Sequence, residues 1–118
     1  NGDVNSGETG IQLLEETKCE FGMIGRSAMT NPFVFKEINE LEKGKYWKPS
    51  AQEKIDGFFD YAKQCKKFDM VKISDLKAKA IQFTKGIEFT KQTRIKLIQA
   101  KNEKEIIKAL AGFEKTII

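Results

Sequence analysis

Phe21-Gly22-Met23-Ile24-Gly25-Arg26-Ser27-Ala28-Met29-Thr30-Asn31-Pro32-Phe33 decides how the chain is read. Glu20 to Ile24 is short, apolar and without alternation, the pattern of a strand buried on both faces. Gly25-Arg26 follows as a turn. Asn31 reads as a helix N-cap, with Pro32 at the first helical position, where its missing N–H costs nothing. A strand that ends in a glycine turn and leads into a helix can hold a phosphate on backbone amides.

A second such turn, Asn1-Gly2-Asp3, lies one βα unit upstream. Two phosphate-holding turns in succession form the phosphate grip of many (β/α)8 barrels, after strands 7 and 8. Between the turns, Ser6 is placed to cap a helix over about residues 7–17, with Ile11, Leu13 and Leu14 as its apolar contacts. After Pro32, residues Phe33, Val34, Phe35, Ile38 and Leu41 make the next helix apolar on more than one side. A single strand leaves N–H and C=O groups unpaired on both edges, so it needs neighbours. Residues 1–42 therefore read as the last βα units of a TIM barrel, with the N-terminal barrel expected upstream of Asn1.

Residues 43–118 read differently. Lys43 to Pro49 is a linker containing Gly44, Tyr46 and Trp47. Ser50-Ala51-Gln52-Glu53 is a capping box, in which serine and glutamate satisfy each other's backbone amides. Ile55, Phe58, Phe59, Ala62 and Cys65 follow at helical spacing. Ile73, Leu76, Ala80, Phe83 and Ile87 step by three and four along one face, and Gly86 falls near that helix's end. A shorter helix over about residues 91–100 uses Ile95 and Ile98. A second capping box at Asn102-Glu103-Lys104-Glu105 opens a last helix carrying Ile106, Ile107, Leu110, Phe113 and Ile117. The expected fold is mainly α: the end of a TIM barrel, then an all-α four-helix bundle.

Charge divides the chain in the same place. Residues 1–42 hold three basic and eight acidic side chains, whereas residues 43–118 hold 18 basic and nine acidic ones. The basic part suits a phosphate-rich partner, and otherwise is a solvated lysine surface. Cys19 and Cys65 have no metal spacing, and the chain has no histidine to join them. Both read as free buried thiols in a reducing, cytoplasmic compartment, with no metal site. No apolar run is long enough to cross a membrane.

Asn1-Gly2-Asp3-Val4 and Met23-Ile24-Gly25-Arg26-Ser27-Ala28-Met29-Thr30-Asn31-Pro32 closely resemble the late-barrel turns of the tRNA-dihydrouridine synthase family. Leu76-Lys77-Ala78-Lys79-Ala80-Ile81-Gln82-Phe83-Thr84-Lys85-Gly86, then Arg94 and Glu105-Ile106-Ile107, is similar to the looser signature of that family's helical domain. Two positions depart from it: Lys79 stands where a histidine is expected, and Gln82-Phe83 replaces a Trp-Tyr-like pair. The resemblance implies an FMN enzyme that reduces uridine in tRNA to dihydrouridine with NADPH. It implies that Asn1, Gly2, Asp3, Gly25 and Arg26 hold the FMN phosphate. It also implies a catalytic cysteine on an earlier barrel loop, so neither Cys19 nor Cys65 is assigned that role and this chain alone is expected to be inactive.

The residues themselves suit those roles. Glycine permits close approach to a phosphate, and an arginine can add a bidentate guanidinium. Lys72, Lys77, Lys79 and Lys85 lie on or beside one helix, with Lys91 and Arg94 on the next. Such side chains neutralise RNA phosphates without reading sequence, which suits recognition of a tRNA by shape. Two other readings stay open. Another FMN barrel oxidoreductase would share the phosphate turns but not the basic module. A non-enzymatic helical interaction domain would need neither.

Overall fold

The computed structural model describes residues 4–117, and among them every regular element is a helix. The helices are α1 (Gly7–Thr17), α2 (Arg26–Thr30), α3 (Val34–Glu42), α4 (Ala51–Lys67), α5 (Ile73–Phe83), α6 (Lys91–Gln99) and α7 (Glu103–Ile117). The chain divides into two compact units, residues 1–49 and 50–118.

In the first unit α1 packs against α3. Ser6 caps α1 as its sequence position predicts: its Oγ accepts from Thr9 N at 3.1 Å, and Thr9 Oγ1 accepts from Ser6 N at 3.0 Å. Gly7 sits where the helices meet. A Cβ there would lie 3.0 Å from the Glu37 carbonyl oxygen, so glycine permits this approach without a shift of the α3 backbone. Glu37 is buried on α3, and its carboxylate accepts from Lys48 Nζ at 3.0 Å and Asn31 Nδ2 at 3.3 Å. A buried carboxylate is tolerable only with such partners. Lys48 thereby ties the segment after α3 back onto it. Trp47 packs beside Phe33, with the Lys36 ammonium 4.5 Å from its ring centre.

Three expectations are corrected, two of them in this unit and one that concerns the cysteines of both. The strand expected over Glu20 to Ile24 is absent, and Cys19 to Gly25 is irregular apart from a bend at Glu20. No second strand exists among the described residues to pair its edges, and Phe21 and Met23 are 87% and 70% exposed rather than core. Asn31 does not cap a helix through Pro32. Its Oδ1 accepts from Phe33 N and its carbonyl from Val34 N, a turn that delays α3 to Val34, while the short α2 fills the space before it. The cysteines are free, but Cys19 is exposed and Cys65 only half-buried.

The second unit follows the helical reading closely. Ser50 and Glu53 form the expected capping box, with Oγ accepting from Glu53 N at 3.1 Å and Glu53 Oε1 from Ser50 N at 3.3 Å. At α7, Asn102 Oδ1 accepts from Glu105 N, while the returning bond runs from Lys101 N to Glu105 Oε2 rather than from Asn102 N. Thr90 caps α6 through Thr93 N. Phe58 and Ala62 of α4, Leu76 and Ala80 of α5, Leu97 of α6 and Ile106, Ala109 and Leu110 of α7 form one core with Ala100. The face of α6 differs from expectation. Thr93 and Leu97 are buried, with Ala100 just beyond, whereas Ile95 and Ile98 are 42% and 71% exposed. Leu97, Ala100 and Thr93 lie three or four positions apart, so the helix has one inward stripe and the isoleucines fall outside it.

Candidate nucleic-acid interface

Lys77 and Ile81 are four residues apart on α5 and share a face. Arg94, Leu97 and Ile98 are three and four apart on α6. The connection from Thr84 to Thr90 turns through Gly86, whose φ of +90° is the left-handed conformation glycine adopts without strain. These elements enclose an open groove of about 560 Å³, lined by Lys77, Lys85 and Arg94 together with Ile81, Ile87, Phe89, Leu97 and Ile98.

The groove is held by bonds that cross between helices. Lys77 Nζ donates to the Ile98 carbonyl at 2.7 Å, satisfying a carbonyl at the C-terminal end of α6. Lys54 Nζ of α4 donates to the Lys85 carbonyl at 2.7 Å, which anchors the turn. Thr84 is buried, and its hydroxyl donates to the Ala80 carbonyl one helical turn back. Lys85 and Arg94 are exposed and form no ion pair among the described residues. Their charges are therefore uncompensated at the groove edge. Residues 50–118 carry 15 basic and nine acidic side chains, so the surrounding field has the same sign.

Of the six cations singled out by sequence, the fold brings Lys77, Lys85 and Arg94 to one groove. Lys72 stands at the N-cap of α5 and Lys91 opens α6; both are exposed and outside the groove. Lys79 lies two residues beyond Lys77, about 200° around the helix. It is half-buried there and engaged in an interaction of its own. The sequence reading missed the isoleucines. Ile81 and Ile98 are 62% and 71% exposed and form the apolar part of the groove. The available signal was phase: each sits one position away from its helix's buried stripe.

The phosphate turns are less developed. Asn1, Gly2 and Asp3 lie outside the described residues. Gly25 precedes α2, and a Cβ built on it would meet nothing within 4 Å, so the chain's own atoms leave this backbone open to an approaching ligand. Arg26 is exposed beside it. No group of three or more potential metal ligands occurs among the described residues, and no helix there is long and apolar enough to cross a membrane.

The family model for dihydrouridine synthase (Dus) matches residues 1–115. A probable tRNA-dihydrouridine synthase of Aquifex aeolicus is 29% identical over 114 residues, covering 93% of this chain and 34% of that relative. A probable tRNA-dihydrouridine synthase of Treponema pallidum is 36% identical over 53 residues, covering 45% of this chain and 16% of the relative. The chain thus spans about a third of the length of the first of these relatives.

Proposed function

Because the chain belongs to the dihydrouridine synthase family, we propose that it is part of a flavin-dependent enzyme that reduces uridine in tRNA. In this reading residues 43–118 bind the tRNA and residues 1–42 end the FMN-binding barrel. One observation carries the RNA role. Lys77, Lys85 and Arg94, scattered over 18 positions of sequence, converge on one groove, and Lys85 and Arg94 have no carboxylate partner among the described residues. Cations arranged in this way match a phosphate backbone and bind it without regard to sequence.

The residues present fit the phosphate end of FMN. Gly25 leaves open backbone, Arg26 is exposed next to it, and Asn1, Gly2 and Asp3 are the companion residues by resemblance to the family. Bound there, FMN would supply the hydride chemistry that saturates the uracil C5–C6 bond, with NADPH as the source of electrons. By resemblance to the family, the general acid is a cysteine on an earlier barrel loop, and neither Cys19 nor Cys65 is assigned that role.

The test is direct titration of the 118-residue chain into fluorescently labelled tRNA, followed by anisotropy at low salt. Saturable binding is expected. Failure to bind at about 50 mM salt, where phosphate contacts are strongest, refutes the RNA role.

A further inference from the structure

Phosphate contacts account for the rim of the α5–α6 groove but not for its floor. Ile81 and Ile98 are among the most exposed aliphatic side chains of the unit, and they line the same groove as Ile87, Phe89 and the three cations. A surface that touched only phosphates would have no use for hydrocarbon there. We propose that this groove seats the face of an unstacked RNA base, with Lys77, Lys85 and Arg94 holding the phosphates on either side. The proposal rests on the RNA reading above and adds what kind of RNA the site takes.

Bases in a duplex are paired and stacked, so their faces are covered. Only a loop, bulge or end nucleotide presents a face to an apolar floor. The volume of about 560 Å³ is ample for one base with its sugar. The floor side chains are hydrocarbon, and the one hydroxyl among the lining side chains, that of Thr84, is already donated to the Ala80 carbonyl. The groove therefore accepts a base face rather than reading a base edge, and any of the four bases serves. An acidic amphipathic peptide would also match an apolar groove with a cationic rim. The positive surface favours RNA because it continues beyond the groove. Lys72 at the start of α5 and Lys91 at the start of α6 are exposed and form no ion pair among the described residues. A continuous polyanion can engage such further charges along its length.

The experiment compares two RNAs and two proteins. One RNA is a hairpin with an unpaired loop carrying 2-aminopurine; the other is a blunt duplex with the same number of phosphates. The proteins are the 118-residue chain and its Ile81→Ala, Ile98→Ala form. Both positions are largely exposed, and alanine is the best helix former, so the fold should be retained and is checked by circular dichroism. The parent should prefer the hairpin by roughly five- to tenfold, the low end of what seating one base contributes. The double variant should lose that preference, keep its duplex affinity and keep its salt slope. Loop 2-aminopurine emission should rise with the parent, as the base leaves its stacked neighbours, and not with the variant. An equal hairpin preference in both proteins overturns the base seat while leaving the phosphate reading intact. An acidic amphipathic peptide that displaces the hairpin, and whose own binding the alanines abolish, overturns it in favour of a protein ligand. If neither RNA binds either protein, the RNA reading itself falls, and the base seat with it.

Discussion

Replacing Lys77, Lys85 and Arg94 together with glutamine should change the salt dependence of tRNA binding by a definite amount. The three charges meet at one groove, where each can neutralise a phosphate and release a counterion. Each such contact contributes about 0.7 to 0.9 to the slope of log affinity against log salt, for single strands and duplexes respectively. Losing three flattens the slope by about 2 to 3. Between about 50 and 200 mM salt, the parent should therefore lose roughly 20- to 40-fold more affinity than the variant. The substitutions leave the core untouched. Lys77 does surrender its bond to the Ile98 carbonyl, at a cost of about 1 kcal/mol. Circular dichroism melts separate that effect from binding. The control is Lys63, Lys66 and Lys67 to glutamine, which removes the same charge from exposed positions of α4 outside the groove. Surface charges beyond a Debye length of about 8 Å are screened, so this control should shift the slope by less than about 1. Fluorescence anisotropy across a salt series reads all three proteins. Equal flattening by the two triple variants would show that the positive balance acts as a diffuse field and that the groove is not a contact.

Residues 50–118, expressed alone, should unfold cooperatively in urea. Phe58→Ala should then remove about 3–5 kcal/mol, because Phe58 is fully buried in the core, and that is a large share of the roughly 3–10 kcal/mol available to a unit of this size. A broad, coil-like transition of the parent would contradict an autonomous bundle. The 118-residue chain, mixed with excess FMN and passed through gel filtration, should emerge without a stoichiometric flavin band. Its exposed Phe21 and Met23 wall no ring site, and a retained band would refute that view of the first unit. Stability of that unit should also depend on pH at both ends. Burial works against the Lys48 charge, but the hydrogen bond and charge of Glu37, aided by Glu8 and Tyr46, outweigh it and raise its pKa. A raised lysine contributes stability that is complete below its ordinary value of 10.5 and is lost as pH rises through the folded value. Glu8 is lowered, first by a hydrogen bond from its own backbone amide and, against some desolvation, by Ser6 and Lys48. Its contribution is present above 4.5 and lost as pH falls through the folded value. Melts followed by Trp47, the chain's single tryptophan, should show the alkaline loss in the parent and a flatter alkaline limb in Lys48→Met. Identical limbs would show that the Lys48–Glu37 pair contributes nothing.

The second unit was legible because its signals are local. Ser50 with Glu53 and Asn102 with Glu105 announce helix starts within four residues, and the stripe from Ile73 to Phe83 names its own buried face. The helix over Gly7–Thr17 was legible for the same reason, through Ser6, although its partner Thr9 was read only from the structure. The family resemblance was also carried by sequence, in the run from Met23 to Pro32 and the looser one from Leu76 to Gly86. Glu20 to Ile24 shows the opposite case. Its composition is that of a buried strand, but a strand exists only through bonds to other strands, and the described residues contain none.

What the sequence determined alone was therefore the order and capping of most helices, the charge split and the identity of the cations. Which cations act together was decided by tertiary structure. Lys79 is nearer to Lys77 in sequence than Arg94 is, yet helical rotation turns it away, while the packing of both α5 and α6 on α7 brings Arg94 in. The same holds for Ile81 and Ile98. Each is an unremarkable apolar residue on its own helix, and part of a groove only where two helices border the same space. A helix's period sets which residues share its face, but the packing partner of that face is contributed by distant residues, and no local pattern encodes their distance.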